Sequence, residues 1–150
     1  MEAIIFIGIP ASGKSTFYLQ RFFETHVRIN LDMLKTRHRE QVLIEACIAA
    51  KQPFVVDNTN VTRDERARYI VPAKVAGLRV VGYYFESSLG GSIERNRGRS
   101  SARVVPDKAI AATYHRLQLP AIEEGFDHLY HVTMSAEGGF AVQEWAESYS

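Results

Sequence analysis

Four groups of residues in this chain have types and spacings suited to moving a phosphoryl group. The first is Gly8-Ile-Pro-Ala-Ser-Gly13-Lys14-Ser15, a G-x-x-x-x-G-K-S run whose curled backbone turns successive N–H groups inward onto an anion. Gly8, Pro10, Ala11, Ser12, Gly13, Lys14, Ser15 and Thr16 are the expected polyphosphate contacts. Lys14 would reach the β- and γ-phosphates, and the Ser15 hydroxyl is placed to ligate a Mg2+ ion shared with them. The second is Asp32, where a carboxylate aligned with the γ-phosphate would accept the proton of an acceptor hydroxyl. The same position suits the N-cap of a helix beginning near Met33, and the two roles are compatible.

The third group is Asp57, which closes the apolar run Pro53-Phe-Val-Val56 as a metal-supporting carboxylate does, acting with Ser15 or through water. A turn-forming aspartate before Asn58 is the competing reading. The fourth is Arg95-Asn-Arg-Gly-Arg99, with Arg103 beyond it. Arginine offers a planar fork of donors that matches phosphate oxygens. Gly90, Gly91 and Gly98 argue for motion there, so a basic lid is expected over about residues 88–105, with Arg95 and Arg99 reaching the nucleotide. Lys35, Arg37, His38 and Arg39 form one further cluster, either a solvated helix face or a contact to an acidic acceptor. His26, His115, His128 and His131 show no metal-ligand spacing and are read as structural.

Positioning such groups requires strands that end at the loops and helices that lead away from them. Ala3-Ile-Ile-Phe-Ile7 reads as the strand before the phosphate loop and Thr16–Phe23 as the helix after it. Val27–Asn30 is a short strand ahead of Asp32, and 34–50 is a helix whose core face is Val42, Leu43, Ala46, Cys47 and Ala50. Thr62 and Glu65 have capping-box spacing for a helix that Gly77 stops. Pro72 inside it predicts a kink or break between Ala67–Arg68 and Pro72. Leu78–Phe85 is the longest strand candidate, with Ser87 or Ser88 capping the helix after it. Residues 94–99 read as mobile rather than packed. Pro106 is placed at the first position of a helix that ends near Gln118, and His128–Met134 is a strand. Phe140–Trp145 is a strand or a short helix. Strands alternating with helices give an α/β domain with a mostly parallel sheet and helices on both faces.

At 150 residues and 46% hydrophobic, the chain is expected to be one kinase-sized domain over 1–150. Its 18 basic and 17 acidic residues leave a net charge of +1, which excludes a global field of the kind that draws in nucleic acid. A single cysteine, Cys47, excludes an intramolecular disulfide. No apolar run approaches a bilayer span and none resembles a signal peptide, so a cytoplasmic protein with no membrane partner is expected.

Taken together, Gly8-Ile-Pro-Ala-Ser-Gly-Lys-Ser-Thr-Phe17, Ile29-Asn-Leu-Asp32, Val55-Val-Asp-Asn-Thr-Asn60, Arg95-Asn-Arg-Gly-Arg99, Val105-Pro106 and Glu124-Gly-Phe126 resemble the kinase domain of polynucleotide 5′-hydroxyl kinases, from the first strand to about Val132. A kinase domain without the phosphatase domain of the repair enzymes is expected, and Leu31 stands where that family usually has arginine. The resemblance implies an adenylate-kinase-like P-loop NTPase fold, a three-layer sandwich in which the Asp57 strand lies beside the phosphate-loop strand. It implies that the γ-phosphate of ATP, or another NTP, passes to a 5′-hydroxyl of DNA or RNA. Lys14, Asp32 and Arg99 would be catalytic, with Asp32 the general base. Ser15 and Asp57 would serve the metal, and Asp32, Lys35, Arg37, Asn58 and Asn60 would line the acceptor side. Kinases of small molecules (nucleoside, sugar or antibiotic) are built on related P-loop cores, and a nucleotide-binding switch with slow hydrolysis is a further alternative because a P-loop specifies phosphate binding, not transfer.

Overall fold

Strand β1 (Glu2–Ile7) is an unbroken apolar run because both of its faces are covered. Ala3, Ile5 and Ile7 point to one side and Ile4 and Phe6 to the other. A computed structural model describes residues 1–100, 103–135 and 137–147. Along them follow α1 (Lys14–Arg21), β2 (Val27–Ile29), α2 (Leu31–Leu34), α3 (Arg37–Ala50), β3 (Phe54–Val56), α4 (Arg63–Val75), β4 (Arg79–Phe85), α5 (Leu89–Arg97), α6 (Asp107–Arg116), β5 (His128–Met134) and β6 (Phe140–Glu144). The sheet order is β2-β3-β1-β4-β5-β6. Every pairing is parallel except β5 with β6.

This is the expected α/β architecture, with the Asp57 strand beside the phosphate-loop strand. The chain leaves β1 toward β3 on one side and returns to β4 on the other, so the crevice opens at the carboxyl ends of β1 and β3. One sheet face packs on α3 and α4 through Cys47, Tyr69, Ile70 and Ala73. The other packs on α1 through Phe17 and Tyr18. Phe17 is fully buried among Phe6, Phe85 and Phe140, with ring centroids 5.1–5.8 Å away. That anchor aims the first turn of α1 back at the loop, and truncating it to alanine would cost about 3–5 kcal/mol. A third cluster, Ile9, Val61 and Ile110, seats α5 and α6 against the carboxyl end of the sheet.

Several expectations change. The stretch 34–50 is not one helix: α2 ends at Lys35, which has φ +75°, and Thr36 caps α3 anew. The new start rotates the core face to Glu40, Leu43, Ile44, Cys47 and Ile48, leaving Val42, Ala46 and Ala50 exposed. Asn30, not Asp32, is the N-cap of α2, accepting from the Met33 amide at 2.9 Å. Helix α4 runs through Pro72 without a break. The missing N–H falls near the last turn, and buried Tyr69, Ile70 and Ala73 hold both sides of it. Residues 94–97 are helical and packed, because Ser92 and Asn96 are buried and the Asn96 amide bonds both backbone groups of Val105. Pro106 is the cap before α6, not its first residue, and α6 stops at Arg116. Phe140–Glu144 resolves as an antiparallel strand.

Thr62 and Glu65 form both bonds of the capping box and Ser88 caps α5, as expected. Cys47 is a buried free thiol whose pKa burial pushes up. Part of the expected lid, residues 101 and 102, lies outside the described residues.

Candidate active site

The phosphate loop joins β1 to α1 and is fastened to the neighbouring strand end. The Gly8 amide donates to Thr59 O at 2.9 Å, and the Asn60 side chain donates to Phe6 O at 2.9 Å. A Cβ on Gly8 would lie 2.8 Å from Ser12 Oγ, and Gly13 adopts φ +100°, so both positions demand glycine. Helix α1 has neither a side-chain cap nor an acidic residue in its first turn, which leaves its amides and dipole for an anion. Lys14 is folded onto the loop: its Nζ donates to Gly8 O at 2.9 Å, Ile9 O at 2.7 Å and Ser12 Oγ at 3.3 Å. Burial lowers its pKa to about 8, partly offset by the charge of Asp57. Pro10, Ala11, Gly13, Ser15 and Thr16 line the same cleft, which encloses about 950 Å³.

Asp57 forms the floor, 2% exposed at the end of β3. Its Oδ2 accepts from Ser15 Oγ at 3.1 Å and from Arg28 Nε at 2.8 Å, while Arg28 Nη2 donates to Ser15 Oγ at 3.1 Å. Among the described residues no cluster of three or more His, Cys, Asp or Glu could hold a metal unaided. The Ser15–Asp57 pair instead offers two hard oxygens, the donor type that would suit Mg2+ bound together with a polyphosphate.

Asp32 lies in the first turn of α2, exposed on the cleft wall and within the electrostatic reach of Lys14 and Arg99. Two asparagines fix its loop. Asn30 donates to Asp57 O at 2.6 Å, and Asn58 Oδ1 accepts from the Leu31 amide at 2.9 Å. Asn58 is in turn held by buried Glu40 and by the Tyr69 hydroxyl, each at 3.2 Å. Tyr69 donates to Glu40, and Arg37 donates to both. Lys35 also lines the cleft. Arg95 donates to Ala11 O at 2.7 Å, at the apex of the phosphate loop, and reaches Ser87 and Ser92. Burial, with the nearby Arg103 charge, lowers the Arg99 pKa against the pull of Asp32 and Asp57.

The structure therefore brings the expected residues together around one cleft, except that Gly8 and Ser12 lie beneath its surface and His38 and Arg39 are exposed outside it. It also turns Asn60, Asn58 and Arg37 toward internal partners. The sequence motifs include Asn30, though without its capping role, and do not include Arg28, Glu40 or Tyr69. Asn30 was legible as a possible cap two residues before Asp32. Glu40 was legible only as the polar first member of the 40, 43, 44, 47, 48 helical stripe.

A glycine loop between the middle strand of a parallel sheet and a helix, served by a carboxylate from the next strand, defines a nucleotide-binding P-loop protein of the kinase type. More particularly, the chain belongs to the AAA domain family, which it matches over residues 31–120. It is 30% identical over 138 residues to the bifunctional polynucleotide phosphatase/kinase of Schizosaccharomyces pombe, a match covering 87% of this chain and 33% of that protein. The chain spans about a third of the length of each curated relative it matches. Chaetomium thermophilum Kti12 in complex with ADP-AlF3 shares the fold at a TM-score of 0.65 and 18% identity, covering 87% of this chain and 88% of that one. The AvrRxo1-ORF1:-ORF2 complex with ATP does so at 0.71 and 12%, covering 94% of this chain and 57% of that one. Among the described residues no helix is long and apolar enough to cross a membrane.

Proposed function

We propose that residues 1–150 act as one unit that transfers the γ-phosphate of ATP to an acceptor hydroxyl, with the 5′-hydroxyl of a polynucleotide as the leading acceptor. The carrying observation is Asp32, an exposed carboxylate on the cleft wall whose charge reaches Lys14 and Arg99. In this reading the acceptor oxygen attacks the γ-phosphorus in line as its proton passes to Asp32, and the bond from that phosphorus to the bridging oxygen of ADP breaks. The exposed Asp32 then returns the proton to water. Lys14 exchanges its loop carbonyls for the phosphates, and Arg99 and Arg95 close over them and exclude water. Ser15 and Asp57 would hold Mg2+, which neutralises charge developing on the phosphates. Lys35 is available to an acceptor phosphate. Arg37 and Asn58 support the wall on which the acceptor rests.

The polynucleotide acceptor is supported by the similarity to the S. pombe polynucleotide phosphatase/kinase and by the motifs that carry the family resemblance. A small-molecule acceptor is a second reading, favoured by the apolar lining of Leu31, Met33 and Val104. Labelled ATP with 5′-hydroxyl DNA and RNA oligonucleotides, alongside a panel of nucleosides and sugars, tests both. Label on an oligonucleotide end is the expected outcome. Label only on a small molecule would replace the first reading with the second, and none on any acceptor would reject both.

A further inference from the structure

Arg28 stands in the middle of β2, a three-residue edge strand, and reaches across to the cleft floor. Its guanidinium holds Asp57 Oδ2 at 2.8 Å and Ser15 Oγ at 3.1 Å, and Ser15 gives its own proton to that same Oδ2 at 3.1 Å. Two donors thus converge on one carboxylate oxygen and a third bond closes the triangle from Arg28 to Ser15, at the two side chains that would serve Mg2+. We propose that Arg28 is the resident counter-ion of this metal site. Guanidinium and divalent cation compete for Asp57 and Ser15, so loading the metal requires Arg28 to let go.

The competition follows from how the site is built. Asp57 is 2% exposed, and a carboxylate buried that deeply is tolerated only beside a compensating cation. A metal at Ser15 needs the lone pairs of Oγ directed at it, yet Oγ now accepts from Arg28 while its proton points at Asp57. A second cation would also meet the repulsion of Arg28 at hydrogen-bond range, next to Lys14 and Arg99, whose charges already interact. Arg28 has somewhere to go. Its side chain is 28% exposed along the cleft lining, so the released fork can turn to solvent.

The consequence is a sign reversal that a merely structural arginine would not produce. Without metal, Arg28 neutralises Asp57 and so assists nucleotide binding; with metal, it opposes loading. Because the inference rests on the phosphotransferase reading above, the test measures binding rather than turnover. ADP affinity is measured by calorimetry in excess EDTA and in saturating Mg2+, for the wild type, Arg28→Gln and Arg28→Lys. For Arg28→Gln the ratio of the two affinities should rise about tenfold, from weaker binding in EDTA and tighter binding in Mg2+.

Arg28→Lys keeps the charge but cannot bridge both oxygens, so it should give a smaller rise and carries the test if the glutamine variant does not fold. Mn2+ titration in the presence of ADP, followed by electron paramagnetic resonance, should show tighter metal binding in both variants. An unchanged ratio, or weaker Mn2+ binding in a folded variant, would overturn the inference alone. A wild type that binds no ADP in either condition would overturn the nucleotide reading and this inference with it.

Discussion

On the phosphate-loop wall of the cleft, Lys14, Arg28, Asp57 and Arg95 are all bonded within the protein. On the α2 wall, among the described residues, Asp32 and Lys35 extend their charged groups without a hydrogen-bond partner. The difference separates two kinds of site. A ligand on the first wall must replace partners the protein already has, so changes there mix folding, metal loading and binding. A ligand on the second wall meets charges that no hydrogen bond of the protein occupies, so charge-only changes there report chiefly on chemistry.

Asp32→Asn tests the second wall most severely. Transfer to the acceptor should fall by about 10²–10⁴-fold, the usual contribution of a general base. ADP affinity should hold, and unfolding free energy should stay within about 0.5 kcal/mol of the wild type, as for surface changes that touch no structural feature. Rapid-quench transfer assays, calorimetry and urea melts together check this. A large loss of stability would place Asp32 with the self-bonded wall and break the contrast.

Asn60→Ala tests the first wall. The motif puts Asn60 beside the acceptor, but its amide is 3% exposed and committed to Phe6 O, and its backbone has φ +47°. Removing the amide strands a buried carbonyl and places alanine in a left-handed conformation. A loss of about 1–3 kcal/mol in urea unfolding is expected, with the acceptor KM unchanged. A raised KM in a fully stable variant would return Asn60 to the acceptor side.

Lys14 sharpens the contrast through pH. Its pKa in the fold, about 8, lies below the ordinary value of 10.5, so the unfolded chain binds more protons between the two. Burying the charge therefore costs stability in full below pH 8, and the cost is relieved as pH rises from 8 toward 10.5. A polyphosphate draws the proton back. Calorimetry of ADP binding at pH 9, in buffers of different ionisation enthalpy, should register uptake approaching one proton, against none at pH 7. Affinity should weaken by up to about tenfold per pH unit above 8, and Lys14→Ala should abolish the uptake.

What was legible in the sequence follows the same division. Gly8–Ser15 could be read because its chemistry is local: eight consecutive residues both make the turn and carry the phosphate-binding pattern. Asp32 and Asp57 could be read because each follows an apolar strand, and strand ends in a parallel sheet share one edge. The Arg28–Asp57 pair could not, since its members are 29 positions apart and an arginine in a short edge strand looks like any solvated residue. Glu40 was hidden for another reason. A left-handed turn at Lys35 and a new cap at Thr36 start α3 afresh, and its core face takes in Glu40, Ile44 and Ile48 while keeping Leu43 and Cys47. The packing of 94–97 is not legible locally, because glycine and arginine propensities say nothing of Asn96 clamping Val105 nine residues away.

The smallest effect is expected at Lys35. The residue ends α2 at φ +75°, so replacing it with alanine would confuse lost charge with altered backbone preference. Lys35→Gln keeps a long side chain at the same φ and removes only the charge. If that charge meets a phosphate of a single-stranded acceptor, binding should weaken a few-fold, and the slope of log K against log salt should flatten by about 0.7, one phosphate contact's share. Unfolding free energy should not change. Fluorescence anisotropy of a labelled 5′-hydroxyl oligonucleotide over a salt series measures the slope. An unchanged slope, with oligonucleotide binding otherwise intact, would mean that Lys35 faces water, and acceptor recognition would then move to Arg99 and Arg103. An oligonucleotide that binds without salt dependence would go further, because it would take the phosphate backbone out of recognition on the α2 wall and favour the apolar rim of Leu31 and Met33.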